Sequence, residues 1–101
     1  MKEITMQELL TLSETTIPNI IDIREHYLYE RGSIPGAKNI PFRILRTMPE
    51  KYLLKEEVYY IFCENGFMSS RLKSILEKEG YQIMNVKDGY EAFERMKKML
   101  K

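Results

Sequence analysis

The chain has one cysteine, one histidine and no tryptophan in 101 residues. A lone cysteine excludes an intramolecular disulfide, a two-cysteine redox pair and any cysteine-rich zinc site. With His26 as the only imidazole, a metal centre would rest on carboxylates, and none are spaced to suggest one. No cofactor is expected. An excess of one charge is lacking too: 16 basic residues face 15 acids, for a net charge of +1. No global field therefore argues for nucleic acid or an anionic membrane as partner. The longest apolar run, Val58–Cys63, falls far short of the roughly 20 residues that span a bilayer. The opening MKEITMQELL is interrupted by Glu3, Gln7 and Glu8, which excludes a secretory leader and makes a cytoplasmic location the default expectation.

What is present is the composition of an ordinary globular protein, 44% hydrophobic and 31% charged, long enough for one core but not two. One domain over residues 1–101 and a monomeric state are expected. Thr5 and Glu8 have capping-box spacing, and Met6, Leu9 and Leu10 mark one face of a first helix. Asn19–Ile23 reads as a short buried strand. The stretch REHYLYERG reads as a short helix that stops at Gly32, and SIPGAKNIP as a loop with one extended segment. FRILRTM forms another short helix. Val58–Phe62 is β-branched and aromatic, too short for a helix. Ser69 and Ser70 then open an amphipathic pattern carried by Leu72, Ile75 and Leu76 up to Gly80. YQIMNV is a last strand. Asp88 and Glu91 have capping-box spacing ahead of a final helix lined by Tyr90, Phe93, Met96 or Lys97, and Leu100. Strands separated by helices imply a mainly parallel sheet covered on both faces.

In such sheets, sites form beyond the carboxyl ends of the strands, which is where Cys63 falls. An unperturbed thiol is only about 3% thiolate at pH 7. A loop of backbone N–H groups at a helix start favours the charged form, each charge-assisted hydrogen bond contributing about 1.5–3 kcal/mol before desolvation. Gly66 permits the turn such a nest requires, and Ser69 and Ser70 can cap the helix or donate to sulfur. The Cys-x-x-Gly-x-x-Ser pattern alone leaves two readings open, a nucleophile or a small buried hydrophobe.

Four segments, in order, carry a resemblance. IDIRE (Ile21–Glu25) resembles a strand ending in Asp-hydrophobic-Arg-Glu. GSIPGAKNIP (Gly32–Pro41) resembles a Gly-His-Ile-Pro-Gly-Ala segment, YYIFCENGFMSS an active-site strand and loop, and GYQIMNVKDGYEAF the closing strand and helix. All four are similar to the rhodanese family of sulfurtransferases, over nearly the whole chain. The resemblance implies a rhodanese-like three-layer α/β fold with Cys63 as the sulfur-accepting nucleophile. It implies that Glu64, Asn65, Gly66, Phe67, Met68 and Ser69 form its cradle and that Asp22 and Arg24 support the site; the two residues themselves read as a buried or half-buried ion pair that fixes loops. It also implies ping-pong transfer from a sulfur donor to a thiol or cyanide acceptor, each a small molecule or a protein.

Three departures stand out. Met68 occupies a position where the family often has Arg, which removes a cation for an anionic donor and predicts weak thiosulfate turnover. Ser33 stands where His is frequent, in a structural role. Asp88-Gly89 and Phe93 replace a Gly pair and Trp, a tolerated variation of turn and core. Arg71 reads as solvent-facing and His26 as a surface residue outside the site. The terminal ERMKKMLK reads as a packed helix with solvated lysines in preference to a membrane-surface helix. Phosphatases of rhodanese-like fold place Arg after a five-residue spacer from Cys, where this chain has Ser69. The remaining alternative is a persulfide carrier or binding module with little small-molecule turnover.

Overall fold

The computed structural model describes residues 2–100; Met1 and Lys101, which close the expected 1–101 domain, lie outside the described residues. Five strands, β1 (Glu3–Ile4), β2 (Asn19–Asp22), β3 (Ala37–Asn39), β4 (Val58–Phe62) and β5 (Gln82–Val86), form one parallel sheet in the order β1-β5-β4-β2-β3. The helices are α1 (Met6–Leu12), α2 (His26–Arg31), α3 (Phe42–Thr47), α4 (Phe67–Lys78) and α5 (Gly89–Met99).

The two-residue period of a strand splits the core in two. From β4, Tyr59, Ile61 and Cys63 pack with Leu45 of α3 and with Leu72 and Leu76 of α4. Phe62 and Tyr60 point the other way, to Met6 and Leu9 of α1 and to Tyr90 and Ala92 of α5. Helices therefore cover both faces, the α/β architecture expected of a parallel sheet. After β3 the chain crosses back to set β4 on the opposite side of β2, with Asp22 in register with Phe62. That reversal of strand order opens a crevice between the carboxyl ends of β2 and β4. Cys63 is the first residue beyond β4.

Four local expectations are corrected. β1 was not expected; its two residues carry no readable period, and pairing of Glu3 with Asn85 and of Ile4 with Val86 creates it. α4 starts at Phe67, with Gly66 as its cap residue, so Ser69 and Ser70 lie inside the first turn. Asp88 makes no capping bond to α5; its Oδ1 accepts from the Met6 amide of α1 at 2.8 Å. A foreign helix start thus competes successfully for that carboxylate. Leu100 falls beyond the end of α5 and is exposed, whereas Phe93 and Met96 pack on the core. The Thr5–Glu8 capping box is present, with Glu8 N donating to Thr5 Oγ1 at 3.1 Å and Thr5 N to Glu8 Oε1 at 2.8 Å. No helix among the described residues is long and apolar enough to cross a membrane.

Candidate active site

Cys63 is held where two helix starts meet. Its side chain is 6% exposed, and its Sγ accepts from the Ser69 backbone N–H at 3.3 Å and lies 3.3 Å from Ser69 Oγ. Both contacts follow from α4 beginning at Phe67, because the third residue of a helix has a backbone N–H with no intrahelical acceptor. The sulfur fills that vacancy at the positive end of the helix. Among the described residues no hydrogen bond engages the amides of Asn65, Gly66 or Met68, while the Phe67 amide donates to Asn65 Oδ1 at 3.0 Å. The expected nest is therefore partly occupied by the loop itself, and among the described residues only Ser69 donates to the sulfur. Ser69→Ala removes the hydroxyl but keeps the amide. Alkylation of Cys63 by iodoacetamide at neutral pH is expected to slow about 5- to 10-fold, the effect of one hydrogen bond of about 1–1.5 kcal/mol.

The second helix start stands behind the loop. Tyr90 N donates to the Cys63 carbonyl and Glu91 N to the Glu64 carbonyl, both at 2.9 Å, so the first turn of α5 pins the two residues after β4. This contact brings backbone against backbone. A Cβ on Gly66 would overlap the Lys87 carbonyl oxygen, and one on Gly89 would stand 2.5 Å from the Glu64 carbonyl oxygen. Both glycines have positive φ, 92° and 66°. Sequence alone makes Asp88-Gly89 a tolerated turn variation. Here Gly89 supports the loop directly, through the Glu64 carbonyl that approaches from another element.

On the opposite face of the sheet, Arg24 and Asp22 form a buried ion pair. Arg24 Nε lies 3.0 and 3.1 Å from the two Asp22 carboxylate oxygens, and Nη2 lies 2.7 Å from Oδ2. Asp22 also accepts from the Arg24 amide at 3.0 Å and from Ser33 Oγ at 2.8 Å, so Ser33 has the structural place expected of it. Arg24 then ties the β2 end to two other segments, donating to the Gly32 carbonyl at 2.7 Å and reaching Glu64 Oε1 at 3.4 Å. Its guanidinium sits 4.0 Å from the centre of the Tyr90 ring, a cation–π contact. Burial disfavours the Arg24 cation, but the hydrogen bonds and charge of Asp22, then those of Glu64, outweigh it and raise the pKa. Burial likewise pushes the Tyr90 phenol up, against the pull of Arg24. A cavity of about 190 Å³ opens here, lined in part by Arg24, Arg31, Glu64 and Tyr90. A larger cleft of about 740 Å³ runs along β3 and the start of β2, and neither Cys63 nor any residue of the 64–69 loop lines it.

Comparisons with known proteins give this fold and loop a family. The model of the Rhodanese-like domain matches residues 5–96. The chain belongs to the rhodanese-like domain family. Among relatives, this rhodanese-like domain is 32% identical over 77 residues to "Putative sulfurtransferase YtwF" of Bacillus subtilis, covering 74% of the chain and 72% of the relative. It is 36% identical over 72 residues to the uncharacterized protein YqhL of the same organism, covering 70% of the chain but only 56% of YqhL. The crystal structure of SSP1007 from Staphylococcus saprophyticus superposes with a TM-score of 0.81 at 33% identity, covering 92% of this chain and 93% of that one.

Within this rhodanese-like domain, Phe67 and Met68 project outward from the first turn of α4, 66% and 38% exposed. Arg71 is exposed and takes part in no ion pair among the described residues. His26 is a surface residue; its Nδ1 lies 2.9 Å from Asn39 Oδ1 and its Nε2 lies 3.3 Å from Glu30.

Proposed function

We propose that this rhodanese-like domain is a sulfurtransferase that moves sulfane sulfur through a persulfide on Cys63. The observation that carries the reading is the Ser69 N–H at 3.3 Å from Sγ, with neighbouring loop amides left free. The thiolate attacks the sulfane sulfur of a donor; a Cys63 S–S bond forms and the donor's bond to that sulfur breaks, its electron pair leaving with the donor. An acceptor thiolate or cyanide then attacks the outer sulfur, and Cys63 departs as thiolate. The free loop amides suit the negative charge that the outer sulfur carries between the steps. The word sulfurtransferase in the name of YtwF supports the same chemistry.

The test is the intact mass of reduced protein after polysulfide, or separately thiosulfate, followed by cyanide. A gain of one sulfur, removed by cyanide and absent in Cys63→Ala, is the expected result. No gain from either donor would sink the small-molecule reaction and favour a binding module.

Met68 bears on the donor. An exposed thioether at the mouth of the site offers no charge to thiosulfate, whereas a guanidinium–anion hydrogen bond is worth roughly 1.5–3 kcal/mol, about 10- to 150-fold in binding. Met68→Arg is therefore expected to raise thiosulfate loading by about that factor and polysulfide loading less. Initial rates of cyanolysis with each donor check it, and wild-type thiosulfate rates equal to polysulfide rates would overturn the donor preference.

A further inference from the structure

Two stretches of this chain, residues 40–49 and 65–76, contain no acidic residue, although acids make up 15 of the 101 positions. Tertiary structure puts them together: the first carries α3, the second the start and middle of α4, and the two helices pack on each other. Arg43 and Arg46 are exposed on α3 and stand three residues apart, so they share a face. Arg71 is exposed on α4, four residues after Phe67 and three after Met68, so it adjoins them both. None of the three arginines is in an ion pair among the described residues. Lys73, the fourth cation, is engaged with Glu77 at 3.2 Å.

The same two helices also carry large apolar side chains. Phe67 is 66% exposed, and Phe42, half-buried, packs on the same core cluster that contains Cys63. Of the acids that border the two stretches, Glu77 is held by Lys73 and Glu64 turns to the other side of the sheet, where it meets Arg24 stacked on Tyr90; Glu50, exposed, follows α3. Large apolar side chains and unpaired arginines on two packed helices, next to a nearly buried thiol, have the make-up of a protein interface and not of a small-molecule pocket. The net charge of +1 makes the arginine face a local feature, unlike the general basicity of a nucleic-acid binder.

We propose that the α3–α4 face around Cys63 docks a protein partner that presents its own cysteine within an acidic, partly apolar surface. The partner's thiol then exchanges the sulfane sulfur with Cys63. The docking inference rests on the sulfurtransferase reading for its chemistry. In the forward step the partner's thiolate attacks the outer sulfur of Cys63 persulfide. A new S–S bond forms on the partner, the Cys63 S–S bond breaks, and its electron pair returns to Cys63.

Two cysteine peptides of equal length test this, one with Asp, Glu and Leu around the thiol and one with Lys in place of the acids. Carboxylates lower the thiolate fraction of the acidic peptide and lysines raise it, so intrinsic reactivity runs against the expected order. With Cys63 already loaded, the acidic peptide is nevertheless expected to accept sulfur about tenfold faster at low salt, the advantage shrinking at about 0.15 M ionic strength. The triple variant Arg43→Glu, Arg46→Glu, Arg71→Glu is expected to reverse the order of the peptides. Equal rates, or a preference that survives the triple variant, would overturn the docking face.

Binding is read separately, with Cys→Ser peptides and unloaded protein, by NMR shifts of residues 42–47 and 67–72. Shifts there with the acidic peptide support the face even if no sulfur moves, so failure of the chemistry and failure of docking are distinguishable. Tighter binding of a single-stranded oligonucleotide than of the acidic peptide would instead assign the arginines to nucleic acid and overturn the proposal.

Discussion

Gly66→Ala is expected to leave a folded protein that loads sulfur about 100-fold more slowly, the scale of effect that a displacement of about 1 Å has on a reacting group. Two separate conditions fail at once. Gly66 has φ 92°, a left-handed conformation that costs an L-residue roughly 1–2 kcal/mol. The new Cβ would also overlap the Lys87 carbonyl oxygen, which is backbone and cannot rotate aside. Relief requires the loop to separate from residues 87–89, and that motion pulls on the bonds from Tyr90 and Glu91 to the carbonyls of Cys63 and Glu64. The Ser69 N–H then loses its place at Sγ. Rates of persulfide formation with polysulfide, beside a urea unfolding curve, separate the local effect from a global one. Gly66→Asn tells the two causes apart, because Asn tolerates positive φ but still brings a Cβ. A loss equal to that of Ala assigns the effect to the overlap. A wild-type loading rate in Gly66→Ala would show that the loop does not depend on this close approach.

Asp22→Ala is expected to lower the unfolding free energy by about 3–5 kcal/mol, the usual effect of stripping a buried cation of its partner. The change removes acceptors for Arg24 Nε, Arg24 Nη2, the Arg24 amide and Ser33 Oγ together. Glu64 at 3.4 Å remains, but its carboxylate is half exposed and its attraction is correspondingly screened. Against a total stability of about 5–15 kcal/mol for a domain, the loss is large. It appears as a lower urea midpoint with little change in slope. Asp22→Asn, which keeps the shape and one acceptor, should lose less. A double replacement of Asp22 and Arg24 by apolar residues of similar volume should recover part of the deficit, since no unpaired charge is left behind. A midpoint for Asp22→Ala within error of wild type would mean that the ion pair contributes nothing net.

The difference between these two substitutions mirrors what could be read before the fold was known. The Asp22–Arg24 pair is a local arrangement: two residues apart at a strand end, of opposite charge, in an apolar neighbourhood. Its reading as a buried or half-buried ion pair needed little more than the sequence, whereas the Ser33 hydroxyl reaches Asp22 only in the fold. The part played by Gly89 was not legible, because its importance lies in a carbonyl of residue 64 that approaches from another element. Asp88 misled for a similar reason. Capping-box spacing with Glu91 is a local signal, but the Met6 amide, 82 positions away, holds the carboxylate.

Residue types and periods by themselves determined the alternation of strands and helices, the parallel sheet with two covered faces, and the placing of Cys63 just past the most apolar strand. Those features depend on side-chain pattern and backbone preference, which act over a few residues. Tertiary structure alone decided the pairing that creates β1, the start of α4 at Phe67 and hence the Ser69 N–H at the sulfur. It also decided the backing of the loop by α5 and the packing of α3 on α4. Each of these depends on two segments distant in the chain coming within a few ångströms. The free energy of such a contact belongs to the pair, so neither segment displays it alone.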